Sequence, residues 1–572
     1  MKKWVILALI SVMLSLSACG KDTPSQPTEA PTISTETTGA TLPTDPVIEG
    51  TVTEILLSDD SVTVAGNAVG EVPGAIYISR DIVYHEDRDA YDSGNPYGEA
   101  EPYERHSAEE ADAHLVVNIT RPGNYRLKGK LSQGQIRIDL GDQACEDPGA
   151  VVNLLLDGVD ITSTVAPAIL FRNVYECDGN WAVDTASSEV DTSAAGANLI
   201  LVSGSENVVY GSHVAKIFQD KEGEKKLWKQ DGAIYSYMSM NFGGTGSLDL
   251  HADNEGLDTE LHLTINGGNI KIFSGNDGIN TNEDGVSVTT INGGNLHIIA
   301  GLREEGDGID SNGYLVINDG TVVAMAHPAA DAGLDSDLGS FINGGTVIAL
   351  GSAMDWAESD SGQITMNLQF AQQQNSSAIV VTKEDGTPVF AYDPGKDKIT
   401  EIGSRGFSGV ILSCADLKQG ESYLVYLNGE ITGSEVEGVY DPSTIAAYEG
   451  GIQQVYTGTD LIMGPGMGGF GEGQRPETGN FGEQPPEMPG NGEHPEMPNG
   501  GERPEMPKDG DRPEMPNGEP PQLPEGESIP QRPGEGRQPG GFEGQSHGEK
   551  NTLFYMQDKV NFFSGLTAAT AE

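Results

Sequence analysis

A short motif that recurs through the middle of the chain constrains its fold more than any other feature of the sequence. The motif reads Ile-Asn-Gly-Gly or Ile-Asn-Asp-Gly and begins at Ile265, Ile291, Ile317 and Ile342, with spacings of 26, 26 and 25 residues. A second motif, of the type Asp-Gly-Ile-Asp-Ser, alternates with the first and occupies residues 255–259, 277–281, 307–311 and 332–336. A fixed period of about 20 to 50 residues is typical of solenoids, in which each repeat packs on the next.

Short stretches of alternating apolar and polar residues accompany the two motifs. Leu261–Ile265, Ile270–Phe273 and Leu296–Ile299 have the period of two that is typical of strands with one buried face. No helical periodicity lies between them, which argues against a βαβ arrangement. We therefore predict an all-β fold, a right-handed parallel β-helix over residues 115–360, with glycines at the turns that require a positive φ.

The segments that follow the repeat have a different pattern. Residues 361–450 contain hairpin-like strands with turns at Asp385-Gly386 and Asn428-Gly429, which predicts an antiparallel β unit that caps the solenoid. Residues 464–548 are of low complexity, with Pro-Glu-Met-Pro repeated every nine residues, and are expected to form a disordered or polyproline-like arm. Residues 551–566 regain β-like apolar content, so the arm is expected to be an insertion between strands of the C-terminal unit.

The N-terminal residues indicate export and lipid attachment. Lys2 and Lys3 precede an apolar run that ends in Leu-Ser-Ala-Cys, which predicts a lipoprotein signal peptide over residues 1–18 and lipidation of Cys19. An uncleaved signal anchor is the alternative. Residues 19–50 are rich in Thr and Pro and are expected to be a flexible tether, followed by an N-terminal cap over residues 51–114. The expected location is extracellular, on the outer face of the cell membrane.

The charge and the cysteines limit the classes of function. The formal net charge of −55 argues against nucleic-acid binding, which requires a basic surface, and is suited to cations. The sequence has no CxxC, HExxH, GxSxG or P-loop motif, which removes support for several common hydrolytic and nucleotide chemistries. Cys145 and Cys177 are one or two predicted coils apart, and we expect either a disulfide or two buried thiols there.

Acidic residues recur at equivalent places of successive repeats. Equivalent places of a solenoid are stacked ~4.8 Å apart, and stacked carboxylates repel one another unless a cation lies between them. Ca²⁺ prefers six to eight oxygen ligands from carboxylates, amides and the backbone, whereas zinc and copper sites need Cys or His. Ordinary polar turn residues are the alternative. The predicted calcium ligands are Asp253, Asp258, Asn276, Asp277, Asn280, Asp307, Asp310, Asp331 and Asp335.

Several of these segments resemble one known group of proteins. The run Gly123–Leu131, the segment Leu156–Val159 and the two repeated motifs look like those of carbohydrate-binding β-helix lipoproteins of Gram-positive bacteria. The resemblance covers roughly Asn118 to Met354. It implies a shape like that of pectate lyases, bound Ca²⁺, and binding of acidic plant polysaccharide such as polygalacturonate. In such a protein, a bound Ca²⁺ would bridge the acidic surface and the uronate carboxylates.

Four further side chains are candidates for contact with a glycan. Tyr235 and Tyr237 can stack on sugar rings if they face outward, although packing inside the solenoid is the alternative. Lys271 and Arg303 are the only basic residues in the acidic repeats and the only candidates for the base of a calcium-dependent lyase. We predict a binding protein, with a pectate-lyase type of enzyme and a structural adhesin or stalk as the alternatives.

Overall fold

The computed structural model describes residues 46, 48–83, 106–180, 182–214, 230–303, 305–329, 331–352, 355–375, 377–396, 405–459 and 550–569. Within these ranges almost all regular structure is β, which confirms the all-β prediction. The helical elements there are α1, Ala108–Ala113, and the 3-10 turns Ala144–Glu146, Val183–Thr185 and Pro442–Thr444. None of the described helices is long and apolar enough to cross a membrane. The signal peptide, Cys19 and residues 464–548 lie outside the described residues.

The strands are numbered along the chain. The N-terminal strands are β1 Val52–Leu57, β2 Thr63–Val64, β3 Asn67–Ala68 and β4 Ile76–Ser79. The central strands are β5 Leu115–Ile119, β6 Gly123–Leu131, β7 Gly134–Asp139, β8 Val152–Thr162, β9 Ile169–Asn173, β10 Ala197–Leu201, β11 Glu206–Gly211, β12 Gly232–Ser236, β13 Met240–Gly244, β14 Ser247–Ala252, β15 Glu255–Thr259, β16 Leu263–Ile265, β17 Asn269–Phe273, β18 Ile279–Thr281, β19 Val288–Ile291, β20 Asn295–Ile299, β21 Ile309–Ser311, β22 Tyr314–Ile317, β23 Thr321–Met325, β24 Leu334–Ser336, β25 Gly339–Ile342 and β26 Thr346–Gly351.

The C-terminal strands follow the repeat. They are β27 Thr365–Asn375, β28 Ile379–Lys383, β29 Pro388–Tyr392, β30 Gly406–Ser413, β31 Ser422–Leu427, β32 Glu430–Thr432, β33 Glu435–Val436, β34 Val439–Tyr440, β35 Ala447–Glu449, β36 Ile452–Val455, β37 Phe554–Tyr555 and β38 Val560–Ala568.

The central strands form three parallel ladders, and the chain visits them in turn. Ladder 1 pairs β1, β6, β8, β10, β13, β16, β19, β22 and β25. Ladder 2 starts from the second half of β8 and pairs β11, β14, β17, β20, β23 and β26. Ladder 3 pairs β5, β7, β9, β12, β15, β18, β21 and β24. Since β1 is already part of ladder 1, the parallel pairing begins inside the segment predicted as a cap.

The apolar residues of both repeated motifs stack in the core between the ladders. On ladder 1, Ile265, Ile291, Ile317 and Ile342 are in register and almost completely buried. On ladder 3 the corresponding column is Leu257, Ile279, Ile309 and Leu334. Each buried side chain of this size contributes roughly 1.5 to 3 kcal/mol of transfer free energy, so the repeat spacing places one such contribution on each ladder in every repeat.

The glycines of the two motifs have different physical roles. The last glycine of each Ile-Asn-Gly-Gly motif turns the chain, as Gly268 shows with a φ of 109°. The glycine of the second motif is required because a larger side chain would collide with the neighbouring repeat. A Cβ on Gly278 would lie 2.1 Å from Ile298 Cγ2 and 2.5 Å from the carbonyl oxygen of Gly308. These glycines therefore set how closely successive repeats approach.

The C-terminal strands pack on the outward face of ladder 2. In β20, β23 and β26 this face is apolar, and Ile299, Met325 and Leu350 form one buried cluster with Phe390 and Phe407 of the C-terminal unit. Strand β30 pairs antiparallel with β26. Sheet edges and exposed apolar faces promote aggregation, and this unit covers both.

The C-terminal unit differs in one respect from the predicted hairpins. Strands β28 and β29 pair around Asp385-Gly386, as expected. Asn428 and Gly429 do form a turn, with φ of 60° and 95°, but β31 pairs with β28, β36 and β37 rather than with β32. Strand β38 pairs in parallel with β27, which joins residues 560–568 to the unit.

Asparagine side chains form a hydrogen-bonded ladder along one exposed edge. Asn292, Asn318 and Asn343 each donate Nδ2 to the Oδ1 of the asparagine in the preceding repeat at 2.9 Å. We expect Asn318→Ala to lower the free energy of unfolding by about 1 kcal/mol, because two such bonds are lost at a site that water can reach. Asn295→Ala, which removes one bond to Asn269, is the control and should have a smaller effect. Urea unfolding measures both, and equal stability of Asn318→Ala and the unsubstituted protein would contradict this role.

Candidate functional site

Three acidic side chains on ladder 3 converge at a buried position. Oxygen atoms of Asp231, Glu255 and Asp258 lie within 4.8 Å of one another, and all three residues are buried. We call them the carboxylate group. Asp231 directly precedes β12, and β15 supplies the other two. Asp258 is fully buried although it is an acid, which requires compensation by a proton, a hydrogen bond or a cation.

The electrostatics of the carboxylate group are unfavourable for three ionised acids. Burial, followed by the negative charges of Glu255 and Asp231, raises the pKa of Asp258 well above its usual range. Asn282 donates its side-chain amide to Asp258. The neighbouring Asn280 is 8% exposed, and its Oδ1 has no hydrogen-bond partner among the described residues. The acids of the carboxylate group thus lie close to a buried amide oxygen, that of Asn280, which accepts no hydrogen bond from the described residues.

A second set of acids continues from this group along ladder 3. We call it the acidic row, and its members are Asp277, Asp307, Asp310, Asp335 and Asp355. Asp258, Asn280, Asp310 and Asp335 occupy one register column of β15, β18, β21 and β24. The turns before these strands are linked as well, since Asp277 Oδ1 accepts the amide of Asp307 and Asp307 Oδ1 accepts the amide of Ala332, both at 2.6 Å.

The acids of the row perturb one another. Burial is the largest cause in each case and nearby carboxylates are the next charged contribution. Burial and then Asp335 raise the pKa of Asp307 to about 7, and burial and then Asp307 raise that of Asp310 to about 8. Burial and then Asp335 raise the pKa of Asp355 to about 7. Burial and then Glu255 raise the pKa of Asp277 well above its usual range, which connects the row electrostatically to the carboxylate group.

The donor set of this region fits a hard divalent cation. Its donors are carboxylate and amide oxygens, which are the ligands of Ca²⁺, and the Cys or paired His ligands of zinc are not among its members. A cation would remove the repulsion that raises these pKa values and would give the orphaned Asn280 Oδ1 a partner. The residues present are therefore compatible with calcium.

The other three predicted calcium ligands have other hydrogen-bond or ion-pair partners in the structure. Asp253 accepts a hydrogen bond from Ser212 at 2.6 Å and lies 3.1 Å from His213 Nδ1. Burial by itself would raise the pKa of Asp253, but the contacts with His213 and Ser212 outweigh it and lower that pKa below its usual value. Asp331 accepts the amide of Gly306 at 2.8 Å and is 3.8 Å from His327, at the edge of the row. Asn276 is half-buried, and its backbone oxygen accepts from Ser274 Oγ.

The sequence prediction missed Asp231, Glu255 and Asp355 as site residues. Asp231-Gly232-Ala233-Ile234 is an earlier copy of the second motif with one additional residue, so its signal was present but displaced. Glu255 begins the first clear copy of that motif. Asp355 follows the last repeat, and its proximity to Asp335 depends on how the chain leaves β26.

The two predicted sugar-stacking tyrosines do not face outward as a pair. Tyr235 is completely buried, donates its hydroxyl to Glu260, and packs edge-on against Tyr237 at 5.1 Å between ring centroids. Tyr237 is partly buried against the core and accepts a hydrogen bond from Gln230 at 2.9 Å. Tyr235 shares the register column of Asp258, on the side of the strand opposite the core residue Ile234, and is nevertheless covered completely. The prediction that it stacks on a sugar ring is therefore wrong, because its ring is buried and its hydroxyl pairs with Glu260.

Aromatic rings do lie on the outward face of ladder 2. Tyr210, His251 and Phe273 are in register and stack face to face, with centroid distances of 4.4 and 4.9 Å. Tyr210 is 44% exposed. The sequence does not indicate that these three rings are neighbours, because they belong to three different strands and are separated by 41 and 22 residues.

The two predicted basic ligand-binding residues have acidic partners outside the carboxylate group and the acidic row. Lys271 Nζ lies 2.6 Å from Glu437 Oε1 and so joins ladder 2 to the C-terminal unit. Arg303 is mostly exposed and lies 3.9 Å from Asp253. The pair of Lys271 and Glu437 is half-buried, whereas Arg303 makes a surface ion pair, which typically contributes less than about 1 kcal/mol.

Of the two alternatives for Cys145 and Cys177, the structure has two partly buried thiols and no disulfide. Both residues are free cysteines. Burial, and then the negative charge of Glu176, raises the pKa of Cys177 to about 12, so its thiol stays protonated at neutral pH.

Comparison with known proteins bears on the function of this region. A family model described as a carbohydrate-binding domain-containing protein matches residues 113–378. This part of the chain is similar to carbohydrate-binding domains. The matched range contains all members of the carboxylate group and of the acidic row. The match to this family model supports glycan binding in general.

Individual proteins match only part of the chain or match it at low sequence identity. A carbohydrate-binding domain-containing protein of Acetivibrio thermocellus is 31% identical over 157 residues, which is 27% of this chain and 44% of that protein. The chain thus spans less than half the length of this curated relative. A solved structure of the polysaccharide lyase-like protein from C. thermocellum, a gadolinium derivative, is 22% identical and covers 52% of this chain and 93% of its own, with a TM-score of 0.31.

Proposed function

We propose that this protein binds acidic polysaccharide in a calcium-dependent manner at the cell surface. The observation that carries the proposal is the carboxylate group with Asn280, where buried acids and an orphaned amide oxygen lie together inside the range similar to carbohydrate-binding domains. Such an arrangement is costly without a cation and favourable with one.

The fold proposed with this function is a right-handed parallel β-helix. Its support is the order of the ladders. Each repeat after Glu255 adds one strand to ladder 3, one to ladder 1 and one to ladder 2 before the next repeat begins. In such a solenoid, equivalent side chains form straight columns on the surface, which suits the binding of an extended polymer.

Burial suggests two kinds of calcium position. The carboxylate group is closed off from solvent, so a cation there would stabilise the fold and would not reach a ligand. Asp307, Asp310 and Asp335 are only partly buried. A cation in the acidic row would keep open coordination positions, and the carboxylates of a uronate polymer would fill them. In this way calcium joins two partners that would otherwise repel each other.

The proposed location follows from residues that precede the described ranges. Attachment of lipid at Cys19 would hold the chain at the outer face of the membrane, with residues 19–50 as a tether. Metabolic labelling with a fatty acid tests this point, and Cys19→Ser should abolish the label while leaving calcium binding unchanged.

The function is tested by a pull-down on insoluble polygalacturonate, using the chain from residue 20 onward. We expect binding in calcium and release by a chelator, without unsaturated sugar in the supernatant. Asp307→Asn with Asp310→Asn should weaken binding at least about tenfold, or ~1.4 kcal/mol, because both charges that would hold the bridging cation are removed.

The matched control removes two charges elsewhere. Asp157→Asn with Asp160→Asn eliminates carboxylates that pair with Arg126, Lys128 and Lys130 on the surface, and binding should be retained. Chelator-resistant binding would contradict the calcium bridge. Absence of binding in both conditions would contradict recognition of this acidic polymer, and unsaturated product would identify a lyase.

A further inference from the structure

A groove runs over the outward face of ladder 1, away from the acidic row. It encloses about 650 Å³. Its floor consists of outward side chains that are in register on five successive strands, namely Asn153, Asn198, Asn241, Thr264 and Thr290. Sites for small molecules and sugar units typically enclose about 300 to 1,000 Å³. The groove therefore has the size of a binding site and a repeating polar floor.

One wall of the groove comes from the excursion between β9 and β10. Thr192 of this segment is buried, and its hydroxyl lies 2.7 Å from both Asn241 Oδ1 and Thr264 Oγ1. Asn241 Nδ2 donates to the backbone oxygen of Thr192 at 2.7 Å. These bonds attach the wall to the floor, so the groove is preformed and a ligand would not have to order it.

The floor also has an apolar strip beside the polar column. Ile200 and Gly243 are paired on adjacent strands and both line the groove. A Cβ built on Gly243 has no neighbouring atom within 4 Å, which shows that open space lies directly above the backbone there. A sugar ring has hydroxyl groups on its rim and C–H groups on its faces. Thr192 covers Asn241 and Thr264, whereas Asn153, Asn198 and Thr290 are only half-buried. These three polar side chains beside Ile200 match both.

The charge of the groove selects the class of glycan. Among the described residues that line it, the titratable side chains are Glu49 and Asp191, and none is basic. A uronate would be repelled here, whereas a neutral sugar would not. The polar side chains repeat at the interstrand distance of ~4.8 Å, which is close to the length of one pyranose unit in an extended chain.

We infer that this groove binds a neutral polysaccharide chain, independently of calcium. The inference rests on the proposed function in one respect only, that the domain binds glycans. It differs in ligand and in place, because the acidic row would bind uronates through a metal. The protein would then have two glycan surfaces of different chemistry.

Titration calorimetry of the full chain with neutral hexasaccharides, in the presence of a chelator, tests the inference. The probes are cellohexaose, xylohexaose and mannohexaose. We expect at least one of them to bind, and Gly243→Trp to weaken that binding at least tenfold by filling the groove. Thr290→Trp fills the same groove from another strand and should have the same effect. Gly70→Trp is the control, since Gly70 also has no neighbour within 4 Å of a built Cβ and does not line the groove.

The calorimetry and the polygalacturonate pull-down together distinguish the groove from the acidic row. Failure of all three saccharides to bind, or full affinity in both folded tryptophan variants, would overturn the inference. Calcium-dependent retention of Gly243→Trp on polygalacturonate would show that the acidic row works separately. If no variant or condition gives retention on polygalacturonate while Gly243→Trp still loses a neutral hexasaccharide, the proposed acidic specificity fails and the groove stands.

Discussion

In the presence of a chelator, the protein is expected to lose stability as the pH rises from about 5 to about 8, and saturating calcium is expected to remove this loss. The expected fall in melting temperature without calcium is on the order of 10 °C, from a loss of about 5 kcal/mol. Calorimetry or circular dichroism at several pH values, with and without calcium, measures it.

The sign follows from the direction of the pKa shifts. In the unfolded chain an aspartate ionises near 3.8, whereas in the folded protein burial and neighbouring acids raise the pKa of Asp307 to about 7 and of Asp310 to about 8. Between these values the folded state binds more protons than the unfolded state, so its stability falls as the pH increases. Calcium is expected to reverse the trend, because a cation bound to the ionised carboxylates would gain affinity as protons leave.

Asp310→Asn separates the cation from the charge repulsion. At pH 8 in chelator this variant should be more stable than the unsubstituted protein, since one of the repelling charges is gone. With calcium it should gain less stability, since a ligand is gone as well. Asn280 already occupies the equivalent position on β18, so the substitution is compatible with the fold. A melting temperature that does not respond to pH or to calcium would contradict a metal role for the row.

Gly278→Ala is expected to destabilise the protein by about 3 kcal/mol or more. The added methyl group would overlap with Ile298 and with the backbone of Gly308, neither of which can move without shifting a neighbouring repeat. The displacement would also disturb Asp277 and Asn280, so calcium affinity should fall together with stability. Urea unfolding and calcium titration measure the two effects.

Gly243→Ala is the matched control for that substitution. Both glycines lie in or beside strands of the ladders, but a methyl group at Gly243 would enter open space. The stability of this variant should be within about 0.5 kcal/mol of the unsubstituted protein. Equal midpoints for the two variants would show that close approach of the repeats is not what requires glycine at residue 278.

The two proposed surfaces divide the charge of the protein in a consistent way. Acids are concentrated on ladder 3, where a cation can join them, whereas the ladder 1 groove presents mainly amides and hydroxyls. Separate parallel ladders permit this division, because each ladder has its own column of outward side chains and the columns vary independently along the sequence.

Much of the architecture followed from the sequence by itself. The spacing of Ile265, Ile291, Ile317 and Ile342 predicted that successive repeats pack on one another, and these residues do stack in register in the core. Period-two alternation predicted the strands, and the second motif predicted that Asp258, Asn280, Asp310 and Asp335 would form one column. Local periodicity suffices for such features because neighbouring repeats contact each other in a fixed register.

Only the tertiary structure decided which polar groups meet across different repeats and segments. Asp231 and Asp355 join acids of other repeats because of how the chain enters and leaves the ladders, and Thr192 reaches Asn241 through an irregular excursion. Tyr235 has the same alternation whether it faces the core or the solvent, and the fold buried it. Period two identifies two faces but does not say which is covered; that depends on packing between segments that are distant in sequence.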